Sequence, residues 1–311
     1  MKILYLMGSS RCGSTLLANI LGELPGFFSA GELRFLWDRA REDRLCGCGR
    51  PVRTCNVWGH VLERTNTSTD GGLDRVRRWQ RAVVRLHRTP GLLFGSDAGA
   101  GAALHRYRPL LLRTLDEIGS LTGCEVLVDS SKHPAQAAAL LGSAQDVYLL
   151  HVVRDARAVT YSRLRWKPNP DGVTTGGMGR TSIPRSALHW SATNLASDLV
   201  RLRGRPPRSK LIRYEDLVSA PLAGVEAILD WIDERRPLSP APFVDERSVS
   251  LGENHTVSGN PDRFSRGRVE VRPDDRWIEE MSPGDRRKTT VLTAPLLFRY
   301  GYPIAGTRRL R

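Results

Sequence analysis

Near the amino end, Gly8-Ser-Ser-Arg-Cys-Gly13-Ser14-Thr15 sets four residues between two glycines and closes on a hydroxyl pair. That is the spacing of a phosphate-binding loop, G-x-x-x-x-G-K-[ST], with Ser14 where the lysine stands. Glycines so placed let backbone N–H groups turn inward onto an anion, and the positive end of a following helix reinforces them. The missing lysine is the cation that reaches the β and γ phosphates of a triphosphate. The loop therefore predicts a phosphate cradle without triphosphate hydrolysis. A glycine- and serine-rich turn with no ligand is the plainer reading.

A second constellation is Leu150-His-Val-Val-Arg154-Asp-Ala-Arg157-Ala-Val-Thr-Tyr-Ser162. Arg154 ends an apolar run, the place where open α/β sheets bind ligands. Ser162 follows eight residues later, about two helical turns on. Together they predict a separate phosphate subsite built from charge-assisted hydrogen bonds. Taken singly, Arg154 pairs with a carboxylate and Ser162 faces solvent.

Proton abstraction from an attacking hydroxyl needs a carboxylate or an imidazole. Glu32 follows the Pro25-Gly26 turn, and His133 and His255 are the alternative bases. Lys132 sits just past a strand end in Val128-Asp-Ser-Ser-Lys132-His-Pro134. Of 47 basic residues only five are lysine, leaving 47 − 5 = 42 arginines, so a lysine at a strand terminus stands out. Asp129 imitates the acid of nucleotide kinases, which keeps a small-molecule kinase as an alternative. Cys46, Cys48, Cys55 and His60, spaced C-x-C-x6-C-x4-H, are four residues of zinc-ligating type. C-x-C is a poor match to usual finger spacing, however, so reduced loop thiols and no metal are expected.

These residues need elements to hold them. Lys2–Met7 is an apolar run opening on Gly8, as a buried parallel strand does, and Ser14 to Leu24 has helical spacing. Residues 125–129 and 146–153 return as buried strands followed by helical patterns, and Lys210–Tyr214 is a further candidate. Strands alternating with helices predict a three-layer α/β/α fold with a parallel sheet. Residues from about 33 to 120 read as a helical insertion, expected to build the acceptor pocket, within one domain over 1–311. The stretches Trp166–Pro184 and Glu253–Arg272 read as loops over a site.

Composition narrows the classes. A chain of 311 residues, 40% hydrophobic, buries a core without staples, and five cysteines do not make a disulfide scaffold. No apolar run reaches the length of a membrane span, so a soluble cytoplasmic protein is expected. The net charge of +14 invites a nucleic-acid partner through counterion release. The arginines are scattered, though, with no aromatic-interleaved stripe and no finger or RNP pattern. A basic nucleic-acid-binding protein with a vestigial loop stays as an alternative, and no nucleic acid is expected.

With these residues in view, the sequence resembles the sulfotransferases that use 3′-phosphoadenosine 5′-phosphosulfate. Gly8 to Thr15 looks like their lysine-less first motif, and Arg154 with Ser162 looks like their 3′-phosphate motif. Arg213-Tyr-Glu-Asp-Leu217 is similar to their R-Y-E-D-L segment, and His255 to Phe264 to a cofactor-side segment. The resemblance is thin over 56–120. It implies a P-loop nucleoside-triphosphatase-like fold, with Ser10, Arg11, Cys12, Gly13, Ser14, Thr15, Arg154, Ser162 and Arg263 on the nucleotide. Likeness to tyrosylprotein sulfotransferases implies Glu32 as the base and Lys132 as the group stabilising charge on the leaving phosphate. The sulfonate would pass in line to a hydroxyl or amine of a small-molecule, glycan, lipid or peptide acceptor. Adenosine 3′,5′-bisphosphate would remain, with no metal required.

Overall fold

The structure is a computed structural model that describes residues 1–304 except 70, 96–98, 144, 166–180, 205 and 239–240. The loop expected over Trp166–Pro184 lies outside the described residues up to 180. Five strands form a parallel sheet: β1 (Lys2–Met7), β2 (Phe27–Gly31), β3 (Val126–Lys132), β4 (Asp146–Val153) and β5 (Ser209–Arg213). Their spatial order is β2-β3-β1-β4-β5. Helices α1 (Ser14–Gly22), α2 (Leu36–Arg41), α3 (Trp58–Arg64), α4 (Gly72–Val83), α5 (Thr89–Phe94) and α6 (Gly101–Thr122) precede β3. After it come α7 (Pro134–Leu140), α8 (Ala156–Leu164), α9 (Ile183–Arg203), α10 (Tyr214–Ser219) and α11 (Pro221–Trp231). An antiparallel pair, β6 (Ser248–Leu251) and β7 (Gly267–Glu270), leads into α12 (Arg276–Glu280) and α13 (Pro283–Arg299).

The alternation of β1 explains the layering. Side chains of a strand point to opposite faces in turn. Ile3, Tyr5 and Met7 join a core built with α2–α7, whereas Leu4 and Leu6 join one built with α1, α10 and α11. Both faces of β1 are covered, as the unbroken apolar run requires. The 33–120 helices share the first core with the sheet. Among the described residues, no helix is long and apolar enough to cross a membrane.

Two strand boundaries depart from the expectation. Phe27–Gly31 is a strand although Ser29, Ala30 and Gly31 carry no apolar alternation; pairing with β3 imposes it. β3 runs on past Asp129 to Lys132, so Lys132 is its last residue and not a loop residue beyond it. The register against β1 shifts between Tyr5 and Met7, a bulge that re-aims the strand end.

The topology places the crevice. β1 and β4 are neighbours, and their onward connections leave toward opposite sheet edges. Ligand sites of open α/β sheets lie at such a switch point, outside the carboxyl ends of the strands. Here that is the space between the 8–15 loop and Arg154.

Candidate active site

A cavity of about 1100 Å³ opens at this switch point. Its wall includes Ser10, Arg11, Gly13, Ser14, Thr15, Glu32, Lys132, Arg154 and Ser162. Residues expected to act together from four separate strand ends do meet.

The 8–15 loop is shaped by backbone geometry. Arg11 and Gly13 both have positive φ, 70° and 89°. A Cβ on Gly13 would lie 2.2 Å from Tyr214 Cδ2, so the close approach of the ring admits only glycine. Ser14 Oγ, at the start of α1, is buried with no protein partner. Cys12 contributes only backbone, because its side chain is fully buried in the core. A later segment folds back onto the loop: Arg11 Nη1 donates to Asn260 Oδ1 at 2.5 Å and Asn260 N donates to Thr15 Oγ1 at 3.3 Å.

Arg154 is 7% exposed and firmly placed. Its Nη1 donates to the Arg11 carbonyl at 3.1 Å, its Nη2 to Asp274 Oδ2 at 3.1 Å, and its Cζ lies 4.5 Å from the Tyr214 ring centroid. Its buried Nε has no protein partner. Ser162 is also buried, on the second turn of α8, which Asp155 caps by accepting from Arg157 N. Tyr214 gives the R-Y-E-D-L segment its part in the site: one ring touches both Gly13 and Arg154.

Lys132 Nζ donates to Glu32 Oε1 at 2.7 Å, and both side chains are about nine-tenths shielded. Lys132 holds φ at 66°, strain that tertiary packing must offset. Burial alone would raise the Glu32 carboxyl. The charges of Lys132 and Arg34 and the Lys132 hydrogen bond outweigh it and hold the group below the ordinary glutamate value.

The other candidates fare differently. Burial and the nearby Arg34 charge push the His133 imidazole down to about 3, making it a weak base. Burial raises Asp129 to about 6. Its Oδ1 accepts from Ser131 N at 2.8 Å and Ser131 Oγ at 2.5 Å and its Oδ2 from Gln136 Nε2 at 3.4 Å, so it is spent inside the core, away from the cavity wall. Arg263 does not line the cavity: it is 1% exposed and donates Nη2 to the Leu45 carbonyl at 3.0 Å. It supports the segment that carries Asn260. His60 is exposed and donates Nδ1 to the Asn56 carbonyl at 2.5 Å, whereas the three cysteines gather around His255.

The sequence reading missed several wall residues. Asn260 and Arg272 lie within the 253–272 stretch expected over the site but were not singled out, and Asp274 and Arg276, at the start of α12, fall outside every pattern the sequence offered. Of the 33–120 span, Arg34 and Leu86 are its described members on the wall. Arg11, Arg34, Lys132, Arg154, Arg272 and Arg276 face the cavity against Glu32, Asp262, Glu270 and Asp274. Among the described residues, six cations against four carboxylates suit a ligand with several negative charges.

Comparison with known proteins agrees with this geometry. A search of curated protein sequences finds no significant match. The sulfotransferase domain from the curacin biosynthetic pathway superposes with a TM-score of 0.54 at 16% identity, covering 97% of this chain and 99% of that one. The sulfotransferase domain of the Synechococcus PCC 7002 olefin synthase gives 0.50 at 18% identity, covering 97% and 96%. At such identities these likenesses establish the fold. The family model described as "Sulfotransferase family" matches residues 4–237, about three-quarters of the sequence, from within β1 through β5. The chain belongs to the sulfotransferase family.

Proposed function

We propose that the protein transfers a sulfonate from 3′-phosphoadenosine 5′-phosphosulfate to a hydroxyl or amine of an acceptor. The observation that carries this reading is the Lys132–Glu32 pair on the same cavity wall as a lysine-less phosphate loop and Arg154. When bound, the donor supplies an activated sulfonate whose leaving group is adenosine 3′,5′-bisphosphate.

The fit of the donor is supported by orphaned donors. Ser14 Oγ and Arg154 Nε are buried without partners, one in each of the two phosphate subsites. Ser10, Arg11 and the backbone from Cys12 to Thr15 would hold the 5′-phosphosulfate, and Arg154 with Ser162 the 3′-phosphate. Lys132 Nζ, swung from Glu32 toward the bridging oxygen, would neutralise charge as it develops. Glu32, thereby released, would accept the acceptor's proton. Its low pKa keeps it ionised until that step. The cavity exceeds the roughly 1,000 Å³ upper range of single-ligand pockets, leaving room for donor and acceptor together. Small-molecule, glycan, lipid and peptide acceptors all fit this chemistry.

A kinase reading finds less support, because Ser14 replaces the lysine and Asp129 is buried in hydrogen bonds. Calorimetry separates the two. Adenosine 3′,5′-bisphosphate is expected to bind more tightly than ATP with Mg²⁺; the reverse order overturns the proposal. Transfer of label from the donor to an acceptor panel then identifies the product.

A further inference from the structure

Three cysteines and a histidine, none on the cavity wall, converge where two distant segments meet. Residues 44–52 form a tight hairpin: Cys46 N donates to the Arg50 carbonyl and Val52 N to the Arg44 carbonyl, both at 2.8 Å, with Leu45 bridged to Pro51. Cys46 and Cys48 lie on this hairpin and Cys55 just beyond it. His255 arrives from two hundred residues away.

The distances among their ligating atoms are diagnostic. Cys46 and Cys55 Sγ are 3.6 Å apart, Cys48 and Cys55 Sγ 3.8 Å. His255 Nδ1 stands 3.3 Å from Cys55 Sγ and 4.0 Å from Cys46 Sγ, and all four atoms lie within 4.8 Å of one another. A tetrahedral zinc with bonds of about 2.3 Å to sulfur and about 2.0–2.1 Å to nitrogen sets sulfurs about 3.8 Å apart and nitrogen about 3.6 Å from sulfur. The observed edges match that figure. A disulfide would need about 2.05 Å between two of the sulfurs, and all five cysteines are free.

The surroundings are built for ligated thiolates. Backbone amides of Cys48, Arg50, Val57 and Trp58 hydrogen-bond to the three sulfurs. Trp58 Nε1 fixes the His255 carbonyl at 2.6 Å. Gly47 N donates to the Thr256 carbonyl at 2.9 Å, and a Cβ there would lie 2.0 Å from Asn254 Oδ1. Only glycine lets the hairpin approach so closely.

We propose that Cys46, Cys48, Cys55 and His255 bind one zinc ion. Four protein ligands leave no open position, so the centre is structural and not catalytic. It fastens the 44–55 hairpin to the 254–263 segment, alongside the Arg263–Leu45 hydrogen bond. That segment carries Asn260 to the phosphate loop, so the ion would brace one wall of the cavity from behind.

The test uses the full chain, purified under reducing conditions without added metal and analysed by plasma mass spectrometry. About one zinc per chain is expected; less than about a tenth of that, or iron in its place, overturns the proposal. Exchange with Co²⁺ should give the intense visible bands of a tetrahedral thiolate site, and octahedral cobalt bands would overturn it. Cys48 is half-buried, so Cys48→Ser is expected to fold, by circular dichroism, and to lose zinc to a chelator about tenfold more readily or worse. His60→Ala should retain zinc fully. Unchanged retention in Cys48→Ser, zinc loss in His60→Ala, or a disulfide among the three cysteines in the freshly purified protein would each refute this ligand set.

Discussion

Lys132 Nζ and Glu32 Oε1 lie 2.7 Å apart although a hundred residues separate them in sequence. The pair forms because β2 and β3 are neighbours and the β3 bulge turns Lys132 toward the end of β2. Each group masks the other until something else claims the lysine.

Glu32→Gln is accordingly expected to lower turnover by about 10²- to 10⁴-fold, the usual worth of a general base. Affinity for adenosine 3′,5′-bisphosphate should stay within a few-fold. In the free enzyme, where Lys132 and Arg34 still face it, the Glu32 carboxyl is held below its ordinary 4.5, so its carboxylate persists as pH falls to that value. The pH profile of kcat/KM, which reports the free enzyme, checks this: an acidic limb near neutrality that disappears in the variant would exclude the assignment.

Arg154→Ala should weaken adenosine 3′,5′-bisphosphate by about 10- to 100-fold, the value of a charged hydrogen bond or two. Adenosine 5′-phosphate, lacking the 3′ group, should bind the variant and the parent alike. Calorimetry with both ligands decides; equal losses would place Arg154 elsewhere in function.

Gly13→Ala forces a Cβ into the Tyr214 ring at a φ of 89°. Nucleotide binding is expected to vanish while the far-ultraviolet circular dichroism persists. Tyr214→Leu in the same chain should restore part of it by vacating the overlap. No restoration would show that backbone strain alone sets the requirement.

Asp198, on α9, accepts from Tyr300 Oη at 2.9 Å and Arg299 Nε at 3.0 Å, with His151 Nδ1 3.4 Å away. Burial opposes its ionisation, but His151, Tyr300 and Arg299 prevail and bring it down to about 2. A depressed folded pKa gives stability that is full above the unfolded value of 3.8 and lost as pH falls through about 2. The amount is about 2 kcal/mol. Urea unfolding of Asp198→Asn between pH 5 and 2 should show a shallower decline than the parent, and parallel curves would refute this.

How much of this was legible in the sequence depends on locality. The turn between β1 and α1 is encoded by glycine spacing over eight residues, and β1 and β4 by largely apolar runs, so these elements were readable. β2 was not, since Ser29, Ala30 and Gly31 become a strand only through their neighbour. Lys132 stood out as a scarce lysine at a strand end and Glu32 as an acid after a turn, but only resemblance joined them, since no spacing links them. Asn260 and Tyr214 owe their positions to long-range packing. For the same reason His60, five residues from Cys55, is not the histidine beside the cysteines, and the segment after β6 brings His255 there instead.

The aromatic ring of Tyr214 has a further implication. A flexible pair of cations adapts to whatever anions arrive, but a flat ring in contact with both Gly13 and Arg154 sets the distance between the 8–15 loop and the Arg154 guanidinium. It works as a gauge block. On the proposed function, a nucleotide of the right charge and the wrong span would meet that ring, so selection among phosphorylated adenosines would rest on length as much as on charge.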